Sequence, residues 1–153
     1  MAIVCTAAIR VPGAVAFLVP ALSPREMATR QRFPRPILEA LDRARILGVR
    51  SGGEHRYTGV WVVVVEGRVF VRSWNDKPAG WRRAFLEERR GSMQLGEHEI
   101  GIRAIQTRSD RLRQAVSSAY AQKHHTRASQ KWVTGFAEPE RLHATLELVP
   151  DGG

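Results

Sequence analysis

RYTGVWVVVVEGRVFVRSW, residues 56–74, decides the fold. It reads as two strands around Glu66-Gly67. Val, Trp, Tyr and Phe dominate both halves, and all favour extended backbone. A strand with one wet face alternates apolar and polar residues. The run from Val60 to Val65 does not, so it should be covered on both faces and lie centrally, with Val62 and Val64 deep in the core. The turn is short, which makes the pair an antiparallel hairpin.

Working outward, PILEALDRARIL opens with Pro36 at a first helical position and carries Ile37, Leu38, Leu41 and Ala44 as a helical stripe. A strand over residues 46–51 follows and ends at Gly52-Gly53. Downstream, NDKPAG is a loop. WRRAFLEERR puts Trp81, Ala84 and Phe85 on one helical face. GSMQLGEHEIGIRAIQ is a second hairpin turning near Gly96. SDRLRQAVSSAYAQKHH is the clearest helix. Ser109 is its N-cap, Asp110 stands in its first turn, and Leu112, Ala115, Val116, Ala119 and Tyr120 form its buried stripe. A short helix around residues 131–136 precedes HATLELV, which alternates as a strand. About six strands in sequential hairpins with peripheral helices predict an α+β domain, a small antiparallel β-barrel.

The chain has 153 residues, enough for one domain with a real core. Its formal charge is +9, and much of the excess is local. Residues 1–35 hold Arg10, Arg25, Arg30, Arg32 and Arg35 against Glu26 alone, a net +4. Residues 36–153 carry 19 bases and 14 acids, a net +5. That modest excess argues against nucleic acid as the partner. Residues 1–35 read as a disordered or artefactual leader, in preference to an export signal. VPGAVAFLVPAL within it is too short and proline-broken to span a bilayer, and residues 1–34 are expected to add nothing to the core. The folded domain is placed at residues 36–150. Cys5 is the single cysteine, which excludes an internal disulfide and fits the cytoplasm.

No nucleotide-binding glycine pattern, nucleophile elbow or metal-spaced histidine pair is present. His124 and His125 read as solvated residues at a helix C-terminus. The chemistry-bearing cluster is cationic. Arg50 and Ser51 end one strand and Arg72 and Ser73 another. Lys77 and Arg82 follow within ten residues, at a loop and a helix start. Fork-shaped donors, hydroxyls and free backbone N–H groups suit a phosphate. Trp61, Trp74 and Trp81 lie close enough in sequence to flank a flat ring.

VWVVVVEGRVFVRSWNDKPAGWRRAF, then GSMQLGEHEIGIRAI, AYAQKH and PERLHATLELVP, in that order, resemble an uncharacterised bacterial domain-of-unknown-function family over roughly residues 37–150. That family in turn is similar to the split β-barrel superfamily of flavin- and deazaflavin-binding oxidoreductases, including pyridoxamine-phosphate oxidase-like proteins. The resemblance implies a homodimer and bound FMN or deazaflavin. It implies Arg50, Ser51, Arg72, Ser73, Lys77, Trp81 and Arg82 as cofactor-binding residues, with a non-catalytic barrel as the alternative. The longer sugar-phosphate signatures of those oxidases are not intact here. His124 and Arg82 stand where tyrosines are common in the smaller family.

Overall fold

The structure, a computed structural model, describes residues 32–75 and 77–151. In chain order these form α1 (Arg35–Arg43), β1 (Ile46–Ser51), β2 (Thr58–Val65), β3 (Arg68–Arg72), α2 (Trp81–Glu87), β4 (Arg90–Leu95) and β5 (His98–Gln106). Then come α3 (Asp110–Lys123), a 3-10 turn (Arg127–Ser129), α4 (Gln130–Phe136), α5 (Pro139–Leu142) and β6 (Thr145–Pro150). The six strands close into one antiparallel barrel in the order β1-β2-β3-β6-β5-β4. The expected α+β class and strand count are what the described residues form.

Both expected hairpins are present. Glu66 and Gly67 have φ of 54° and 74°, so both central residues of the β2–β3 turn are left-handed. That geometry matches the twist of the paired strands, and it sets Val62 opposite Val71 and Val65 opposite Arg68. The order departs from sequential hairpins where the two three-strand meanders join, β3 pairing with β6 and β4 with β1. β6 inserts between β3 and β5, pairing Val71 with Leu146 and Leu148 with Ala104. β4 closes the circle on β1 through Val49 and Met93.

The interior is filled from every strand, by residues such as Leu47, Val49, Val62, Val69, Val71, Met93, Ile102, Leu146 and Leu148. Leu41 of α1 and Phe85 of α2 join the same cluster. A second cluster lies outside the barrel wall. There Val63 and Val65 of β2 and Phe70 of β3 pack under Leu112, Val116 and Tyr120 of α3 and Phe136 of α4. This explains why β2 is apolar on both faces: one lines the barrel and the other lies under helices. It also corrects the expected placement of Val64. Val62 is fully buried, whereas Val64 is only partly so, and Val63 and Val65 are the buried residues of the second face.

Ser109 caps α3 as its sequence predicts, accepting a hydrogen bond from the Leu112 N–H at 3.2 Å. Arg111 of α3 grips Glu66 at the hairpin tip, with N–O distances of 2.6 and 3.2 Å. No helix among the described residues is long and apolar enough to cross a membrane. The expected leader lies mostly outside the described residues, as does Cys5. Its last part does not behave as expected. Phe33 is 6% exposed and belongs to the interior cluster, and the Pro34 carbonyl accepts from the N–H groups of Ile37 and Leu38. The folded part therefore starts by Phe33. Truncating a buried Phe to Ala typically costs about 3–5 kcal/mol. Phe33→Ala should lower unfolding free energy by about 3 kcal/mol and the melting temperature by roughly 10 °C. Calorimetry showing an unchanged transition would return Phe33 to the leader.

Candidate functional site

An open cleft of about 600 Å³ lies on the barrel wall and is lined by five segments of the chain. β2 supplies Gly59, Val60 and Trp61, and the end of β3 supplies Arg72. The following loop contributes Trp74 and Asn75, and α2 contributes Trp81. From α4 come Trp132 and Phe136. The chain has four tryptophans, and all four line this cleft. Clefts of this size, apolar with few polar groups, are the usual form of small-molecule sites.

The aromatic walls hold one another. Trp74 meets Trp132 edge-on at 4.8 Å and Phe136 at 5.3 Å. Trp61 lies 5.9 Å from Phe136. Trp74 is also fixed from outside. The Arg141 guanidinium sits 3.9 Å over its ring and donates from Nε to the Trp74 carbonyl at 2.9 Å. Gly135 lies against the same indole so closely that a Cβ there would stand 2.2 Å from the ring. Trp132 is 40% exposed and forms the outer lip.

Trp61 is backed by His124, stacked face to face at 3.7 Å and 7°. This corrects the reading of His124 as a solvated residue. It is 2% exposed, and neither ring nitrogen has a hydrogen-bond partner among the described residues. Burial pushes its pKa down to about 4, helped by Lys123 and Arg45. His125, its neighbour, is exposed as expected.

Arg72 is the polar centre of the wall and is 1% exposed. It donates from Nε to Thr145 Oγ1 at 2.8 Å, and from Nη1 to Ser117 Oγ and the Phe136 carbonyl, each at 2.8 Å. Nη2 donates to the Arg113 carbonyl at 2.9 Å. Burial lowers its pKa to about 10, opposed by Tyr120 and reinforced by Arg113. It is still charged at neutral pH.

Of the seven residues singled out in the sequence, Arg72 and Trp81 line the cleft. Arg50 lies elsewhere on the barrel surface, 4.5 Å over the Tyr57 ring and paired with Glu99 at 3.0 Å. Ser51 is buried, and its hydroxyl faces the Ala84 and Glu88 carbonyls of α2 at 3.0 and 2.7 Å. The Ser73 hydroxyl donates to the Asn75 carbonyl at 2.7 Å. Arg82 is buried and reaches the His143 carbonyl at 3.3 Å. Lys77 is exposed. Trp61 and Trp74, read as possible flanks of a flat ring, do line the cleft. Trp132, Phe136 and Gly135 went unread as site residues. Their signal was local: two aromatics four apart on a short helix, with glycine between them. Among the described residues no cluster of three His, Cys, Asp or Glu side chains is placed to hold a metal ion.

The fold and cleft together define a class: a six-stranded antiparallel barrel with an aromatic cleft walled by its outer helices. The chain belongs to the family described as "Uncharacterized protein conserved in bacteria (DUF2255)", whose model matches residues 38–148. No curated protein matches the chain. Its backbone is similar to the crystal structure of the conserved hypothetical protein Rv2991 from Mycobacterium tuberculosis. That match covers 84% of this chain and 79% of the other, at 12% identity and a TM-score of 0.48.

His124 gives stability a pH dependence with a definite sign. The unfolded chain takes up a proton near pH 6.5 that the folded chain refuses until about pH 4. Stability is thus full above the unfolded value and falls as pH drops towards 4, by up to about 3 kcal/mol from this residue. His124→Phe keeps a ring on Trp61 and removes the proton. Urea melts of this variant should show a flatter pH profile between those limits. A wild-type profile already flat there would contradict the dry placement of the imidazole.

Proposed function

We propose that this chain is a small-molecule-binding β-barrel whose cleft takes a flat aromatic ring. The observation that carries the reading is the convergence of all four tryptophans, with Phe136, on one open cleft. Aromatic faces recognise other rings by offset stacking and edge contacts, and each such pair adds about 0.5–1.5 kcal/mol beyond buried area. Stacked His124 and close-packed Gly135 hold two of the walls in place before any ligand arrives. The reading needs no catalytic group.

The oxidoreductase reading is a special case of this one. A flavin or deazaflavin is a flat ring system and would itself supply the redox chemistry. The aromatic walls favour the ring. The hydrogen bonds of Arg72, Ser51 and Ser73 do not favour a phosphate grip, because those donors are engaged within the protein. Dimerisation belongs to the same reading and is tested by light scattering.

The experiment is a titration with riboflavin, FMN and a deazaflavin, followed by tryptophan fluorescence. Quenching should appear at or below about 100 μM ligand, a modest affinity for one ring. Gly135→Ala must displace the Trp74 indole and should weaken binding about tenfold or more while the protein still melts cooperatively. A preference for FMN over riboflavin would favour the flavin reading. Absence of quenching by any flat ring would sink the proposal and leave a barrel that associates only with itself.

A further inference from the structure

We infer that the ligand of this cleft is a planar aromatic anion with its charge on or directly beside the ring, because Arg72, buried in the cleft wall, has no carboxylate partner among the described residues. The inference rests on the small-molecule reading and adds the ligand's charge to it.

A box of aromatic rings can serve opposite purposes. Ring faces are electron-rich, so such boxes commonly hold ammonium groups. They also sandwich flat rings of any charge. The charges around the box separate the two cases. Arg72 hydrogen-bonds to two hydroxyls and two backbone carbonyls, all neutral. Those acceptors satisfy its N–H groups without cancelling its charge. The ionisable groups bearing on it are the Tyr120 phenol and another cation, Arg113. Buried cations are ordinarily paired.

The rim has the same sign. The Lys131 ammonium lies 5.1 Å over Trp132 and forms no ion pair among the described residues. Two of these cations are offset by acids, Arg141 over Trp74 by Glu138 at 3.1 Å and Arg113 by Asp110 at 3.4 Å, which leaves Arg72 and Lys131 without one among the described residues. Asp and Glu are absent from the described residues lining the cleft. A recess with low-dielectric walls and cations on one side carries a positive potential. An ammonium ligand would meet repulsion there, whereas an anion would supply the missing counter-charge. Arg72 is set in the wall among the rings and not on a distant loop. The charge it complements therefore belongs near the ring, as in an aromatic carboxylate, and not at the end of a long tail.

Three probes share one ring and differ in charge: 2-naphthoate, 2-naphthamide and 2-naphthylmethylammonium. Quenching of tryptophan fluorescence in the wild-type protein would measure each. The carboxylate should bind at least about tenfold tighter than the amide, through the field of the buried guanidinium and not through a direct hydrogen bond to it, and the ammonium weakest of all. Arg72→Gln should bring carboxylate and amide to within about twofold of each other. Should that variant fail to fold, the exposed Lys131→Gln should still narrow the gap, by about twofold. Equal affinities across the three wild-type titrations, or a preference for the ammonium, would overturn the inference and leave the small-molecule reading standing. No quenching by any of the three would remove both.

Discussion

The Arg72 guanidinium ties together the parts of this protein that a barrel alone would not hold. Its four hydrogen bonds reach Thr145 on β6, Ser117 and the Arg113 carbonyl on α3, and the Phe136 carbonyl at the end of α4. One residue at the end of β3 thus fixes the adjoining strand, the covering helix and the helix that carries the outer cleft wall. Hydrogen bonds to a charged donor are worth about 1.5–3 kcal/mol each, and several are needed to offset burying the charge. The arrangement is poor as a stabilising device but strong as a positional one. Losing the guanidinium would strand several buried acceptors at once.

The second constraint is that β2 has no wet face. Val62 faces the barrel interior while Val63 and Val65 lie under α3. The Tyr120 hydroxyl donates to the Trp61 carbonyl at 2.8 Å, and Lys123 Nζ donates to the Val62 carbonyl at 2.7 Å. Helix α3 is therefore bound to β2 through side chains and through the strand's own backbone. Burial pushes the Tyr120 phenol well above its ordinary pKa, so it remains a neutral donor. The Trp61 indole emerges at the edge of this packed seam, which is how a core strand comes to supply a cleft wall.

Much of the fold was legible because its signals are local. Hairpin turns at Glu66-Gly67 and Gly96, the Ser109 cap and the helical stripe of α3 each lie within a few residues of sequence. The insertion of β6 between β3 and β5 was not legible, because strand order is set by long-range pairing. Val64 packs on the barrel side with Val62, as its parity predicts, but is only partly buried, because alternation sets the face of a residue and not its depth. Trp61, Trp74 and Trp81 were read as flanks of a ring from proximity alone. Trp132 and Phe136 come from a helix about sixty residues further on, and only the fold brings them to the same place. His124 misled for a physical reason. A helix C-terminus normally leaves histidine in water, but here the chain turns back at the 3-10 segment and a tryptophan covers the ring.

The cleft is not equally rigid all round, and the difference follows from packing. Trp61 is clamped by a stacked imidazole whose ring nitrogens have no hydrogen-bond partner among the described residues. Trp74 is held between Gly135 and the Arg141 guanidinium. If the cleft takes a ligand as proposed, these two walls would lose little freedom and would contribute pre-organised contact area. Trp132 touches Trp74 by its edge and keeps 40% of its surface in water. An exposed indole on a two-turn helix is the wall best able to shift towards an incoming ring, and burying it would add apolar area to the complex. Recognition would then divide between a fixed inner face that sets the ligand's orientation and an outer lip that closes over it. The buried cation sits on the fixed side, where its field acts at a constant distance on whatever the inner walls hold.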